Sequence, residues 1–250
     1  MIGASQMMLG SGGALKCDSA DFDGSNDYMT RGADLTGIVD GKQGTFSGWV
    51  RIDGGDGVER RLLINNPLVF NVNITTGNTF TVAGFNSSAI IILLLESATT
   101  YTAGATWLHV LASWDMATAG ARHLYINDVD DLGSGPTFTN DTINYAGVAN
   151  FAIGAATDGT AKFNGCLAEL WFHTTYIDIT NVVNRRKFIT AAGKPAYLGP
   201  TGIIPLGVVP LVYQHLDVGA AVATFGTNLG SGGGWTITGT LATGSTSPSS

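Results

Sequence analysis

The chain has 250 residues, of which 12% are charged and 35 are glycine, and its formal net charge is -7. Sixteen Asp and three Glu stand against twelve Lys and Arg, which excludes the basic stripe that nucleic-acid binding requires, and no segment reaches the roughly 18 apolar residues of a membrane-crossing helix. A chain of this length can bury one large β core as a single domain, and so low a charge content suits a protein packed against neighbours.

At the amino terminus, MIGASQMMLGSGGALKC carries no basic residue ahead of its apolar stretch, the first being Lys16, so no cleaved leader peptide is expected. Residues 1–14 read as a Met/Gly/Ser arm. Five segments then alternate apolar and polar residues and end in Gly, Asn or Asp: FDGSNDYM (Phe22 to Met29), FSGWVRI (Phe46 to Ile52), WLHVLASWD (Trp107 to Asp115), LYINDV (Leu124 to Val129) and FNGCLAELWFH (Phe163 to His173). This is strand periodicity. It sets Phe46, Gly48, Val50 and Ile52 on one face of their strand, and Trp107, His109, Leu111 and Ser113 on one face of theirs. The excess of Asp over Glu fits turns, because the short Asp side chain closes Asx-turns.

Between these strands, Ala89 to Leu95 is apolar throughout, which predicts a strand buried on both faces. Either the chain's own tail or a second copy must cover it, and Ile91, Leu93 and Leu95 are the contact candidates. Loops Gly54 to Arg61 and Gly154 to Phe163 are the candidates for recognition, because loops at sandwich ends carry it. Beyond residue 173 the pattern predicts one helix, with Thr180 as cap, Val182, Val183 and Ile189 as its buried stripe, and Gly193 and Pro195 as its end. Arg185, Arg186 and Lys187 then fall at its C-terminal end as a solvated face. Ile203 to Leu216 is apolar but broken by Pro205 and Pro210, so it reads as an extended segment lying over a surface. Gly230 to Gly234 reads as a hinge, followed by a short strand with Trp235, Ile237 and Gly239 on one side; Trp235 and Ile237 are the tail's interface candidates. The predicted organisation is an arm (1–14), a sandwich (15–190) and a C-terminal extension (191–250).

In this order FDGSNDYM, FSGWVRI, WLHVLASWD, LYIN and FNGCLAELWFH resemble the laminin-G-like, concanavalin A-like jelly-roll domain over residues 15–190. The resemblance implies an all-β jelly-roll β-sandwich with one short helix and an extended C-terminal arm. A narrower resemblance is carried by KFITAAGKPAYLGPTG and ATFGTNLGSGGGWTITGTLATGSTSPSS, similar to the C-terminal region of laminin-G-like proteins in tailed bacteriophage virions. It implies a virion structural protein made in the host cytoplasm, a capsid decoration or cement protein whose partners are the major capsid protein or other virion proteins and further copies of itself. The alternative is an adhesin of a tail fibre or baseplate that binds a cell-surface glycan.

No enzyme is expected. Glycoside hydrolases of this fold place two carboxyls about 5 Å apart on one strand for a retaining mechanism, whereas Glu59, Glu96 and Glu169 are isolated, and Glu169 reads as a structural carboxylate. His109 reads as a core residue, and His123, His173 and His215 have no metal-ligand spacing. Cys17 and Cys166 fall on strands that a jelly roll of this type sets side by side, but a reducing cytoplasm favours two buried thiols over a disulfide. Asn127, Asp128, Asp130, Asp131 and Asp158 offer hard oxygen ligands for calcium, against which Asn127 and Asp128 also suit a two-residue hairpin turn; the turn is the stronger reading. Trp49, Trp107, Trp114 and Trp171 occupy strand positions suited to core packing rather than to a sugar platform.

Overall fold

The computed structural model describes residues 15–66, 69–147 and 150–250, and the predicted arm at 1–14 lies outside the described residues. The strands are β1 (Ala20–Asp23), β2 (Tyr28–Thr30), β3 (Gln43–Ile52), β4 (Arg60–Asn66), β5 (Phe70–Ile74), β6 (Phe80–Phe85), β7 (Ile91–Glu96), β8 (Leu108–Asp115), β9 (Arg122–Ile126), β10 (Val129–Asp130), β11 (Thr137–Phe138), β12 (Asn150–Ile153), β13 (Asn164–His173), β14 (Val212–Gln214), β15 (Thr236–Thr238) and β16 (Ala242–Thr243). They form two eight-stranded antiparallel sheets, the first in the order β10-β9-β8-β3-β13-β1-β16 with β14 also on β13, the second in the order β11-β7-β6-β5-β4-β12-β2-β15. The expected all-β sandwich is the architecture observed.

Alternation decides which side chains meet between the sheets. On β5, Phe70, Val72 and Ile74 enter the core, while Asn71 and Asn73 take the other face. The Phe70 ring stacks on Phe172 at 4.9 Å between centroids and lies 5.7 Å from Trp114, each such buried aromatic contributing about 2–3 kcal/mol through the apolar area it removes from water. Trp114 Nε1 donates to the Tyr145 hydroxyl at 2.9 Å, so the indole's polar atom is satisfied where it is buried. On β8 it is Val110, Ala112 and Trp114 that face this core. His109, Leu111 and Ser113, the set expected to mark the strand's core side, lie on the opposite face and are buried there too.

That second burial comes from the chain's own C-terminal part. Ile177, Ile179, Phe188, Leu198 and Tyr213 pack on Leu111, Tyr125 and Trp171 of the first sheet, and Ile189 packs beside Trp49, Ala168 and Cys17. Trp171 meets Phe188 edge-on at 5.3 Å and donates from Nε1 to Gly202 O at 2.8 Å. The sandwich therefore has a third layer on one side, and β3 and β13 are buried along almost their whole length.

The two-faced burial expected of Ala89 to Leu95 is not found there. Ala89 (φ 58°) and the exposed Ile90 belong to the turn before β7, so the apolar run straddles a turn and a strand. Leu93 and Leu95 are fully buried in the chain's own core, and among Ile91, Leu93 and Leu95 only Ile91, 42% exposed, remains at the surface.

The predicted helix shrinks to one turn, α1 (Val182–Arg185), capped by Asn181 rather than Thr180: the Asn181 side chain accepts from Val183 N. Val182 and Val183 are exposed, and the burial expected of them falls to Phe188 and Ile189 beyond the helix. The basic cluster is not a solvated face. Arg185 and Arg186 both pair with Asp128, at 2.5 and 2.7 Å, and the Arg185 guanidinium lies over the Tyr125 ring.

The extension is not a free arm. β14 adds to β13 beyond Pro210 and pairs with that strand alone, so both prolines stay outside the ladder and the segment lies over the first sheet as a short flanking strand, as its prolines led one to expect. β15 pairs with β2 and β16 with β1. Trp235 is 8% exposed and packs in the core with Ile237 against it; with the Gln214 amide oriented to satisfy its neighbours, its oxygen accepts from Trp235 Nε1 at 2.6 Å. Trp235 and Ile237 thus pack within their own chain. The glycine run is a close crossing rather than a hinge: a Cβ at Gly232 would lie 2.5 Å from Leu211 O, a contact only glycine tolerates.

Candidate groove on the outer face of the second sheet

The outer face of the second sheet carries the candidate site. Strand register sets Arg61, Asn73, Thr81 and Glu96 in one row across β4 to β7, and Ile64, Asn71 and Ala83 in the next. Beside β4, a groove of about 360 Å³ is lined by Glu59, Arg61, Ile64, Asn65, Ala156, Thr157, Asp158, Thr160 and Ala161. Both recognition loops read from the sequence contribute to it, as its two walls.

Local chemistry fixes each wall. Arg60 and Arg61 are consecutive strand residues and take opposite faces. Arg60 is fully buried and donates to Gly54 O at 3.1 Å, Asp56 Oδ1 at 3.3 Å and Asn78 Oδ1 at 2.7 Å, which anchors the loop preceding Glu59. Arg61 pairs with Glu59 at 2.9 Å and its backbone N–H donates to Ala161 O at 3.0 Å, joining the walls. Burial lowers the pKa of both arginines, with Asp56 and Glu59 opposing it. In the second wall, Gly159 N donates to Ala156 O at 2.8 Å and closes a turn, and Asp158 Oδ1 accepts from Thr160 N at 2.9 Å and Thr160 Oγ1 at 2.6 Å. Those bonds, the side-chain one first, hold the Asp158 carboxyl below its ordinary pKa.

A relay orients the floor: Thr81 Oγ1 donates to Asn73 Oδ1 at 2.7 Å, and Asn73 Nδ2 donates to Glu59 Oε1 at 3.2 Å. The groove thus presents fixed hydrogen-bonding groups, among them the Glu59 carboxylate held by Arg61 and Asn73 and the Asp158 carboxyl held by Thr160. The sequence named both loops and Asp158 but not this relay; Asn73 and Thr81 carry no motif, and only the alternation against core-facing Val72 and Val82 could have pointed to them.

The calcium candidates are dispersed among other partners. Asn127 (φ 51°) and Asp128 (φ 68°) are the two central residues of the β9–β10 hairpin, where Ile126 pairs with Val129, so the turn reading holds. Asp128 is occupied by the two arginines, Asp130 accepts from Leu132 N, Asp131 accepts from Thr99 Oγ1 and Tyr101 OH, and Asp158 lies in the groove. Among the described residues the group of three potential ligands that does converge is Asp21, Asp53 and Cys166, and there Asp53 already pairs with Arg51 at 2.7 Å. Cys17 and Cys166 are buried free thiols, and burial pushes Cys166 up to about 12.

Glu169 is structural, as read from the sequence. It occupies a bulge in β13 with φ 49° and is 2% exposed; it accepts from the Tyr213 hydroxyl and pairs with His215 Nδ1, whose Nε2 faces Asp217.

Two antiparallel sheets packed face to face, with the outer face of the first covered by the chain's own C-terminal residues, define a jelly-roll sandwich. The chain belongs to the Concanavalin A-like lectin/glucanases superfamily, whose laminin-G-type family model matches residues 23–178. None of the curated protein sequences compared with it matches. Among solved structures it is similar to a putative carbohydrate binding protein from Bacteroides ovatus, at 15% identity and a TM-score of 0.63, covering 92% of this chain and 60% of that one. The chain therefore spans 60% of that protein's length. Domain 4 of the arabinanase AbnA from Geobacillus stearothermophilus, solved with arabinotriose, is 18% identical at a TM-score of 0.46, covering 66% of this chain and 75% of that one. A heptameric SAP-like pentraxin from Limulus polyphemus is 13% identical at a TM-score of 0.46, covering 69% and 84%.

Proposed function

We propose that this protein is a carbohydrate-binding module that takes a saccharide in the groove between residues 54–61 and 154–163. The observation that carries the reading is the groove itself: about 360 Å³, open, and lined by Glu59, Arg61, Asn65, Thr157, Asp158 and Thr160 on a rigid strand floor. Its size falls within the range of small-ligand sites, and its polar groups are preorganised, which lowers the cost of binding a hydroxylated ligand. Membership of a lectin and glucanase superfamily and the likeness to the Bacteroides ovatus protein support the same reading. We read it as a binder rather than an enzyme: Glu59 is engaged by Arg61 and Asn73, and Asp158 by Thr160.

The resemblance of residues 185–250 to phage proteins supports a finer reading, an adhesin of a tail fibre or baseplate that meets a cell-surface glycan. Capsid decoration has less support. Of the contacts it called on, Leu93, Leu95 and Trp235 are buried within the chain and Ile237 packs partly against the same core, while Ile91 stays at the surface.

A glycan array probed with the full chain tests the proposal. Binding to a saccharide that falls at least about tenfold in Glu59→Ala and Asn73→Ala, about 1.4 kcal/mol, is the expected result. Binding that both variants leave intact would move the site elsewhere.

A further inference from the structure

We infer that the groove is selective for uncharged saccharides presenting vicinal hydroxyls and discriminates against their uronate counterparts, Glu59 and Asp158 being the residues that set this preference. The inference rests on the carbohydrate-binding reading above.

The groove's charged groups are unequally available. Arg61 is its one cation among the described lining residues, yet its side chain is only 10% exposed and is committed to Glu59. Lys162 does not line the groove and donates to Gly159 O. The Glu59 side chain is 41% exposed, so its carboxylate faces the opening. A carboxylate has about four acceptor positions; Arg61 and Asn73 supply two donors to it and fix its orientation. Asp158 stands exposed on the facing wall, with both Thr160 contacts on Oδ1.

A ligand in the groove thus meets two carboxylate acceptors and a shielded cation. Hydroxyls donating to carboxylates make charge-assisted hydrogen bonds, stronger than neutral ones, and a neighbouring pair of hydroxyls matches the two oxygens of one carboxylate. A uronate carboxylate would be brought beside two like charges, and the chain's net charge of -7 adds to the repulsion. Specificity here comes from an unfavourable contact with the wrong ligand as well as a favourable one with the right ligand.

The test is calorimetric titration of the full chain with neutral gluco-, galacto- and mannotetraose, each beside its C6-carboxylate form. The expected result is that a neutral member binds and its carboxylate form binds at least about tenfold more weakly at low salt, the gap narrowing in high salt as charges are screened. Glu59→Gln and Asp158→Asn, both at exposed carboxylates, should each shrink the gap. A carboxylate form that binds as tightly as its neutral partner, or a gap that survives both variants, overturns the selectivity and leaves the carbohydrate reading standing. If no saccharide of either kind binds, the carbohydrate reading falls and the selectivity with it.

Discussion

The Tyr213 hydroxyl donates to Glu169 Oε2 at 2.8 Å, fastening β14 to the bulge in β13. A carboxylate 2% exposed would be costly without such partners. Tyr213→Phe is expected to lower stability by about 1–3 kcal/mol, the cost of stripping a buried acceptor of its donor, measured as a shift in the urea midpoint.

Burial alone would lower the His215 pKa, but the hydrogen bonds and charges of Glu169 and Asp217 outweigh it and raise it to about 9. The stabilisation is therefore complete below the unfolded value near 6.5 and lost as pH rises through about 9. Thermal melts between these limits should show the midpoint falling with pH, and His215→Gln should flatten that slope. An unchanged slope in the variant would remove His215 from the account.

Asp128 combines a left-handed backbone with two ion pairs. Burial works against ionisation there, but the Arg186 and Arg185 hydrogen bonds prevail and hold its carboxyl below the ordinary value. Asp128→Gly keeps the turn and loses the pairs, whereas Asp128→Ala loses both. The alanine variant should be the less stable of the two by about 1 kcal/mol, the cost of a left-handed conformation without glycine. Because the arginines already occupy Asp128, added calcium or a chelator should leave the melting midpoint of the wild-type chain unchanged.

Leu93→Asp is expected to unfold the protein rather than to separate copies of it, since the side chain is fully buried among core residues. An unpaired carboxylate there should cost more than about 4 kcal/mol. Ile91→Asp, at a half-exposed neighbour, should remain folded. Circular dichroism on both variants decides it.

Removal of residues 226–250 takes away β15, β16 and Trp235. The truncated chain should lose cooperative unfolding or melt far below the full chain, because these residues complete both sheets. A truncated form as stable as the parent would mean the extension is dispensable.

Much of the fold was legible in short-range patterns. Alternation in Phe46, Val50 and Ile52 reflects a strand's two-residue period, and Asn127 with Asp128 marks a hairpin because both tolerate positive φ. The misreadings have equally local causes. Ala89 takes the left-handed position of a turn organised by Asn86, but being apolar it joins the strand that follows, so a turn and a strand merged into one apolar run. His109 and Val110 lie on opposite faces of β8, and both faces are buried, so hydropathy could not say which met the other sheet. Val182 and Val183 fitted a helical stripe that a single turn never forms.

The candidate site was legible only in pieces. Glu59 and Asp158 sit far apart in the chain, and they share a groove because β12 pairs with β4 and the following loop returns along Arg61. By itself the sequence determined five strand segments and the hairpin turn at Asn127 and Asp128, since each depends on residues within a few positions of one another, and the order of those segments carried the resemblance that gave the sandwich class. Which face of the first sheet the C-terminal residues cover, and which loops meet across the second, was decided by tertiary structure alone. Strand pairing between distant segments creates those contacts, and no local spacing encodes them.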